Sequence, residues 1–311
     1  MKTIICTTPI DHLKGLKKNL EKRGKLIYKP NISKTELKKI LKKNKKIDII
    51  FCNPNRQGYI LDKEILKNSS IKLINTASTG LNHINRDNCK KLGIKILSLT
   101  KDIKLIRKLP STSELSFGLM INLQRNIFQS FKSVVNKKWD YTPFIGQELS
   151  SLTIGIIGLG RLGNFMANYA KAFGMKVFYY DPFKNSKKYK KIDLKKLIQI
   201  SDVISIHAHV TDETRYMINK KILRLARKKP IIINTSRGEL VNEKDIIWGL
   251  KNKKISGYGA DVIEKEFVDI KKSLIIKNIN KYNIIITPHI GGMTYQGQER
   301  AYNYAINKMK K

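Results

Sequence analysis

The sequence predicts an α/β protein with two doubly wound parallel sheets, and three observations support this. Short apolar strands alternate with amphipathic, Lys-rich helices through the first hundred residues. A second alternation starts at Leu152 and contains six candidate strands. A helical segment, residues 113–136, separates the two. Because strands separated by single helices pair in parallel, each alternation predicts one parallel sheet.

The elements follow from apolar periodicity and from helix caps. In the first unit we expect strands at residues 3–6, 25–28, 48–52, 71–75 and 94–97, with helices at 11–22, 33–42, 62–67 and 85–92. Ser111 to Glu114 supply caps and a first-turn acid for the long helical segment. In the second unit we expect strands starting at residues 152, 176, 202, 231, 257 and 284. A last helix, about residues 295–308, has no strand after it, so it should pack on the first unit.

A glycine-rich motif, GLGRLG, follows the first strand of the second unit. Gly158 permits a tight turn, Gly160 allows close approach to a pyrophosphate, and Gly163 allows the helix to pack on the strand. The helix that starts at Arg161 and Leu162 directs its free amides toward the phosphates. With apolar strands on both sides, the motif predicts a dinucleotide-binding site rather than a simple turn.

An acid ends the second strand of this unit. Asp181 stands where a carboxylate accepts hydrogen bonds from both ribose hydroxyls and repels a 2′-phosphate, which favours NAD over NADP. The competing interpretation is that Asp181 only starts the turn at Pro182. Lys184 keeps NADP open as the alternative cofactor, because a cation there could hold a 2′-phosphate.

The composition restricts the function classes. The formal charge is +38, but Lys is spread through nearly every element, with no basic tail or nucleic-acid module, so we expect no specific nucleic-acid partner. No apolar run reaches the roughly 18 residues of a membrane helix and no signal peptide is evident, so we expect a cytoplasmic protein without a membrane partner. Three scattered cysteines predict neither disulfides nor zinc, but small buried residues.

Three later segments place polar side chains at strand ends, where doubly wound sheets bind their ligands. They are NTSRGELV with Arg237, ADVIEKE with Glu266, and ITPHIGG with His289. His can exchange a hydroxyl proton near neutral pH, a neighbouring carboxylate favours its protonated form, and Arg can bind a carboxylate and polarise a keto oxygen. Taken singly, each has a plain alternative: a turn cap, a solvated acid and a buried histidine.

Taken together and in this order, the motifs resemble the D-isomer-specific 2-hydroxyacid dehydrogenases over almost the whole chain. The similarity includes STGLNHIN, STSELSFGLMINLQRNI, WDYTPFIGQEL, GLGRLG, SIHAHVTDET, NTSRGELVN and TPHIGGMT. The resemblance implies a Rossmann NAD-binding domain, residues 108–289, inserted into a flavodoxin-like substrate domain of residues 1–107 and 290–311. It also implies a site in the cleft between them and a homodimer formed through the segment after residue 113.

The resemblance further implies roles for individual residues. His289 is the acid/base, Glu266 is its carboxylate partner rather than Glu264, and Arg237 binds the substrate's carboxylate and carbonyl oxygen. A backbone anion site clamps the substrate carboxylate, unless this segment is a plain turn; it consists of Ser78, Thr79 and Gly80. Thr235 and Asp261 line the nicotinamide pocket, and His207 borders the adenosine.

Two departures from the family pattern stand beside the site. Phe267 replaces the usual Pro after the catalytic Glu, which predicts a differently shaped loop. His207-Ala208-His209 replaces an HxP pattern. The two histidines lack a third ligand in sequence, so we expect no metal.

The predicted function is NAD-dependent interconversion of a small anionic 2-oxo acid and its D-2-hydroxy acid. Glycerate/hydroxypyruvate, 3-phosphoglycerate, lactate and bulkier acids all remain candidate substrates. Phosphoglycerate members often carry a C-terminal regulatory domain, and the sequence ending at Lys311 predicts none. The alternative from another class is a nonenzymatic, NAD-sensing, corepressor-like binding protein of the same fold.

Overall fold

The computed structural model describes residues 1–54, 57–264, 266 and 269–309, and the chain divides into two units. Unit 1 comprises Met1–Leu109 with Met293–Lys311, and unit 2 comprises Pro110–Gly292. The boundaries predicted from sequence, after residues 107 and 289, lie two and three residues earlier. The second unit is thus inserted into the first along the chain.

Unit 1 contains, in its described residues, one parallel sheet with strand order β2-β1-β3-β4-β5. The strands are β1 Thr3–Cys6, β2 Lys25–Tyr28, β3 Ile47–Cys52, β4 Leu73–Thr76 and β5 Lys95–Leu97. This is the flavodoxin-like order, which confirms the predicted fold class. The strand order reverses between the parallel neighbours β1 and β3, so the carboxyl ends of these two strands form the switch point where such sheets bind ligands.

In unit 1 the helices predicted at residues 11–22, 62–67 and 85–92 are shorter than expected, whereas those predicted at 33–42 and 295–308 have their expected lengths. The helices of this unit are α1 Leu16–Glu21, α2 Lys34–Lys43, α3 Lys63–Leu66, α4 Arg86–Lys91, α5 Ile103–Ile106 and a C-terminal helix, Tyr295–Lys308. The helix expected from residue 11 begins only at Leu16 because Gly15 adopts a left-handed conformation, φ +75°. The C-terminal helix packs on α1, as predicted. Cys6, Cys52 and Cys89 are buried free thiols, also as predicted.

Unit 2 contains, within the described chain, a parallel sheet with strand order β12-β11-β10-β9-β6-β7-β8. Its strands are β6 Thr153–Ile157, β7 Lys176–Tyr180, β8 Lys190–Lys191, β9 Val203–Ile206, β10 Ile231–Asn234, β11 Gly257–Ala260 and β12 Ile284–Ile286. The prediction of six strands omitted β8, since two exposed lysines carry no apolar signal. The order is the Rossmann arrangement, which places a dinucleotide at the carboxyl ends of β6 and β9.

The helices of unit 2 cover both faces of this sheet. They are α6 Ser111–Gln124, α7 Ile127–Val135, α8 Arg161–Ala172, α9 Leu194–Ile200, α10 Lys220–Leu223, α11 Glu243–Lys251 and α12 Leu274–Asn278, with 3-10 turns at Thr142–Phe144, Leu149–Ser151, Gly238–Leu240 and Ile270–Lys272. One buried apolar cluster lies on each face of the sheet. None of the helices in the described part of the chain is long and apolar enough to cross a membrane.

The prediction of one helix over residues 113–136 was wrong. The segment forms two helices, α6 and α7, and Asn126 between them is left-handed at φ +51°. The Phe128 amide donates to Asn122 Oδ1 at 3.0 Å, which satisfies an amide at the start of α7. The apolar pattern runs through the break, so periodicity alone gave no sign of it.

Candidate active site

The glycine loop after β6 shows which glycines the fold itself requires. Gly158 has φ +88°, and a Cβ there would lie 2.6 Å from the His207 carbonyl oxygen. A Cβ on Gly163 would lie 2.0 Å from the Gly158 carbonyl oxygen, so α8 could not approach the strand with any other residue. A Cβ on Gly160, in contrast, would meet no atom within 4 Å. The absent side chain at Gly160 therefore leaves open space at the start of α8, which fits a pyrophosphate bound there.

Asp181 is buried at the end of β7 and accepts three backbone hydrogen bonds. Its Oδ2 accepts from the Leu159 amide at 2.8 Å, and its Oδ1 accepts from Phe183 and Lys184 amides at 2.9 and 3.0 Å. The turn role considered from the sequence is therefore real, and the same carboxylate also fixes the glycine loop. Each carboxylate oxygen has two lone pairs, so capacity remains for a ribose hydroxyl.

His207 lies directly after β9, facing the glycine loop. Its amide donates to the Ile157 carbonyl at 2.7 Å, and its Nε2 lies 2.8 Å from Ser205 Oγ. Burial lowers the pKa of His207 to about 4, so the ring is neutral at pH 7. Its buried Nδ1 has no hydrogen-bond partner among the described residues. Since buried polar atoms are normally paired, this orphaned nitrogen is a second observation that fits a bound nucleotide.

His289 and Glu266 form a direct pair. His289 Nδ1 lies 2.7 Å from Glu266 Oε1, with the two side chains 39% and 17% exposed. Burial lowers the pKa of His289, but the hydrogen bond and charge of Glu266, with the charge of Asp261, outweigh it, and the pKa is raised overall. His289 also has a left-handed backbone, φ +54°, a conformation that is costly for most residues and concentrated at functional sites.

Arg237 follows β10 and lies within electrostatic range of the pair, since its charge acts to lower the pKa of His289. Its Nη1 donates to the Ser236 carbonyl at 2.6 Å. The residue after Arg237 must be glycine, because a Cβ on Gly238 would lie 2.1 Å from the Ile263 carbonyl carbon. This close approach brings the Arg237 loop against the chain that leads to Glu266.

The two candidate carboxylates, Glu264 and Glu266, have different hydrogen-bond partners in the structure. Glu264 Oε1 accepts a short hydrogen bond from the Tyr216 hydroxyl, whereas Glu266 holds His289. Glu264 is thus bonded to Tyr216, and Glu266 is the carboxylate in contact with His289. Phe267, the departure from that pattern, lies outside the described residues.

Asp261 supports the His289 loop rather than standing free in a pocket. Its buried carboxylate accepts from the Thr287 hydroxyl at 2.6 Å and from the Ile290 and Gly291 amides at 2.7 Å each. These three bonds hold the backbone on both sides of His289. Sequence reasoning missed Thr287, although its position two residues before His289 could have suggested it.

Thr235 lies at the end of β10 and is tied to α6. Its Oγ1 is 2.6 Å from Ser116 Oγ, and Ser116 Oγ also donates to the Thr112 carbonyl. Ser116 was not among the predicted site residues, because nothing in the sequence links positions 119 residues apart.

The Ser78–Gly80 loop belongs to unit 1 and follows β4. The Gly80 amide donates to Ser78 Oγ at 3.1 Å, and that hydroxyl donates to the Gly80 carbonyl at 2.8 Å. Thr100 Oγ1 donates to the Thr79 carbonyl at 2.8 Å. One of the amides expected to bind an anion is therefore engaged within the loop itself.

Fold and site together define a protein of the α/β class with a dinucleotide-binding motif and, on the same unit, a histidine–carboxylate pair within electrostatic range of an arginine. Residues 117–291 match the NAD binding domain of the D-isomer specific 2-hydroxyacid dehydrogenases, and residues 5–104 match the catalytic domain of the same family. The chain belongs to this family, whose members are oxidoreductases that act on CH–OH groups.

Individual relatives agree on the family but differ in substrate. The chain is 32% identical to the hydroxypyruvate reductase of Thermotoga maritima, over 90% of this chain and 89% of the relative. It is also 32% identical to the D-3-phosphoglycerate dehydrogenase of Methanocaldococcus jannaschii, over 100% of this chain but only 57% of that protein. The chain spans about half the length of the phosphoglycerate dehydrogenases it matches.

A solved structure extends the likeness to three dimensions. The D-lactate dehydrogenase of Aquifex aeolicus, crystallised with NAD and lactic acid, has a TM-score of 0.82 and 29% identity, covering 99% of this chain and 94% of that one. The likeness thus includes both units.

Proposed function

We propose that this protein interconverts a small 2-oxo acid and its D-2-hydroxy acid with NAD, using His289, Glu266 and Arg237. The observation that carries the proposal is the 2.7 Å His289–Glu266 pair with Arg237 in electrostatic range. A paired, protonated imidazole beside a guanidinium is suited to a substrate that carries both a carboxylate and a reducible carbonyl.

When bound, the nicotinamide supplies or accepts the hydride. During reduction, protonated His289 donates its proton to the carbonyl oxygen, and Glu266 stabilises the charged ring and fixes its orientation. Arg237 binds the substrate carboxylate and polarises the carbonyl. Asp261 holds the His289 loop, and Thr235 takes part in the nicotinamide pocket. The Ser78–Gly80 loop binds the carboxylate through the backbone amides that remain beside that of Gly80, which donates to Ser78 Oγ.

Gly158, Gly160, Arg161, Leu162 and Gly163 would hold the pyrophosphate, Asp181 the ribose, and His207 the adenosine side. These roles are supported by the open space at Gly160 and the unpaired His207 Nδ1.

For the substrate we favour hydroxypyruvate/glycerate, with 3-phosphoglycerate as second candidate. The named activity of the relative matched over most of its length supports the first. The test is NADH oxidation by the purified protein with hydroxypyruvate, glyoxylate, pyruvate and phosphohydroxypyruvate. Turnover with one of them supports the proposal. NADH binding without turnover of any of them would favour the nonenzymatic, NAD-sensing alternative.

The pH dependence of the reaction follows from the raised pKa of His289. Reduction needs the protonated ring, so kcat/KM for the 2-oxo acid should be constant at low pH and fall through a midpoint above the ordinary histidine value of about 6.5. Oxidation of the hydroxy acid should show the opposite trend. Glu266→Gln removes the charge that raises the pKa, so the midpoint for reduction should move to lower pH in a pH–rate profile.

The neighbouring carboxylate is the matched control. Glu264→Gln alters an acid bonded to Tyr216, so it should leave the midpoint unchanged. If both variants shifted the midpoint equally, or neither did, His289 would not be the titrating group.

We expect NADH to be preferred over NADPH by about tenfold or more in kcat/KM. A 2′-phosphate near the Asp181 carboxylate creates a like-charge contact worth on the order of 1 kcal/mol or more near a protein surface. Asp181→Asn should weaken this preference in initial-rate comparisons, whereas Lys184→Ala should leave NADH use intact. A wild-type preference for NADPH would refute the assignment.

A second copy of the chain is the expected partner of an exposed apolar surface on unit 2. The surface lies on α7 and the arm after it, with side chains 41–91% exposed; they are Ile127, Phe128, Phe131, Val134, Val135, Trp139, Tyr141 and Ile145. Several large apolar side chains exposed along one segment are typical of an interaction site. Light scattering at moderate salt should give about twice 35.8 kDa, and Phe131→Lys should yield a folded monomer. Ile270→Lys, at an exposed apolar residue elsewhere in unit 2, should remain dimeric; a monomeric wild type would contradict the proposal.

A further inference from the structure

A buried network of polar side chains crosses the carboxyl edge of the unit 1 sheet. His83 Nε2 lies 3.0 Å from Thr76 Oγ1, and Thr76 Oγ1 donates to Asn53 Oδ1 at 3.2 Å. Asn53 Nδ2 donates to the Tyr302 hydroxyl at 2.7 Å, which lies 3.0 Å from Thr8 Oγ1. We call these five residues the His83 network.

The Asn53 amide sets the direction of the hydrogen bonds around it. The hydroxyl hydrogen of Thr76 goes to Asn53 Oδ1, so Thr76 Oγ1 accepts from the Nε2–H of His83. On its other side, Asn53 Nδ2 donates to Tyr302, whose hydroxyl also shares a hydrogen bond with Thr8. Burial lowers the pKa of His83 to about 4, so at neutral pH the network carries no charge. The five groups thus form one continuous hydrogen-bonded chain.

Burying these polar side chains costs desolvation free energy that an apolar core would not require. Thr76, Tyr302, His83 and Thr8 are each at most 5% exposed. His83 Nδ1 is buried without a hydrogen-bond partner in the described part of the chain. Apolar side chains would fill the same space without desolvating hydroxyl, amide and imidazole groups. The network therefore specifies a geometry rather than supplying bulk stability.

The geometry that it specifies is that of the loop between two of its members. Thr76 ends β4 two residues before Ser78, and His83 follows Gly80 by three residues. The Thr76–His83 hydrogen bond therefore closes the base of the loop. The His83 carbonyl also accepts from the Leu61 amide at 2.9 Å, which anchors the outgoing chain. Through Asn53 and Tyr302 the His83 network also connects the base of this loop to the end of β3 and to the C-terminal helix.

We propose that the His83 network positions the Ser78–Gly80 loop for binding the substrate carboxylate, so that His83 and Tyr302 are positioning residues that do not touch substrate. This inference rests on the proposed function, which assigns carboxylate binding to that loop. Loss of one buried hydrogen bond should then loosen the loop and weaken substrate binding without changing the proton transfer by His289.

The kinetic test uses Tyr302→Phe and His83→Leu in the full-length protein with its preferred 2-oxo acid. Each should raise KM by about fivefold to tenfold, the effect of removing one buried hydrogen-bonding group, while kcat changes less than about twofold. His83→Gln retains a donor toward Thr76 and should recover part of the loss. The NADH dissociation constant, measured by fluorescence, should not change.

Ser70→Ala is the matched control. Ser70 Oγ donates to the Ile47 carbonyl at 2.7 Å, so Ser70→Ala also removes a hydroxyl that is hydrogen-bonded within unit 1, but at the amino edge of the sheet and away from the Ser78–Gly80 loop. It should leave KM unchanged. Equal KM effects for Ser70→Ala and Tyr302→Phe would show general destabilisation and overturn the proposal, as would an unchanged KM in Tyr302→Phe and His83→Leu.

A second measurement is independent of activity. In hydrogen exchange, Tyr302→Phe should increase the exchange of amides in residues 77–84 by about fivefold or more relative to wild type, and Ser70→Ala should not. Unchanged exchange in this loop overturns the positioning role even if no 2-oxo acid is turned over. A wild type that reduces no 2-oxo acid, with exchange altered as expected, counts against the proposed function alone.

Discussion

Replacing His289 by Asn lowers turnover of the 2-oxo acid by about 10³-fold, within the range of a positioned general acid. The imidazole paired with Glu266 has a raised pKa and is the proton donor in our proposal, whereas burial lowers the pKa of His207 in the same unit. Asn is the best replacement because His289 has φ +54°, and Asn tolerates the left-handed region better than Ala does. The loss then reports chemistry rather than backbone strain.

The measurement is kcat from initial rates, together with NADH binding by fluorescence. NADH affinity should stay within about twofold, because the pyrophosphate and ribose contacts lie at the glycine loop and Asp181. His209→Asn, at an exposed histidine of the same unit, is the matched control and should be fully active. Turnover unaffected in His289→Asn would count decisively against the assignment.

Replacing Arg237 by Lys lowers kcat/KM by about 10²-fold or more even though the charge is kept. A guanidinium binds a carboxylate through two parallel hydrogen bonds, whereas an ammonium on a flexible stem cannot reproduce that planar geometry. The lost interaction spans carboxylate binding and carbonyl polarisation, so both KM and kcat should change. Steady-state kinetics across substrate concentrations separate the two effects.

Arg215→Lys is a suitable comparison, since Arg215 lies over the Tyr216 ring and is not part of the proposed site. It should leave kcat/KM within about twofold. Arg237→Gln adds a further expectation: with the opposing positive charge removed, the midpoint of the pH profile should move upward. Full activity in Arg237→Lys would mean that Arg237 does not bind substrate and only stabilises the local turn through its hydrogen bond to the Ser236 carbonyl.

Local sequence signals were enough for the architecture. The glycine motif and the alternation of strands and helices predicted both sheets, because each signal depends on neighbouring residues and on a period that burial imposes. The break at Asn126 was missed because a single left-handed residue leaves the apolar pattern intact. Strand β8 was missed because its pairing is decided by β7 and not by its own lysines.

The candidate site likewise contains residues that the sequence could predict and supporting contacts that it could not. Arg237, Glu266 and His289 could be proposed because each follows a predicted strand and matches a family motif. Their supporting contacts could not: the bond of Ser116 to Thr235 and those of Asp261 to the His289 loop join positions far apart in sequence. Such bonds depend on tertiary packing, which one sequence does not display.

The most direct test of the central claim is the reduction of NAD by matched D and L enantiomers of one 2-hydroxy acid, starting with glycerate. We predict that wild type forms NADH with the D enantiomer only and that His289→Asn forms it with neither at a comparable rate. Equal rates with both enantiomers, a preference for the L enantiomer, or full activity of His289→Asn would contradict the account.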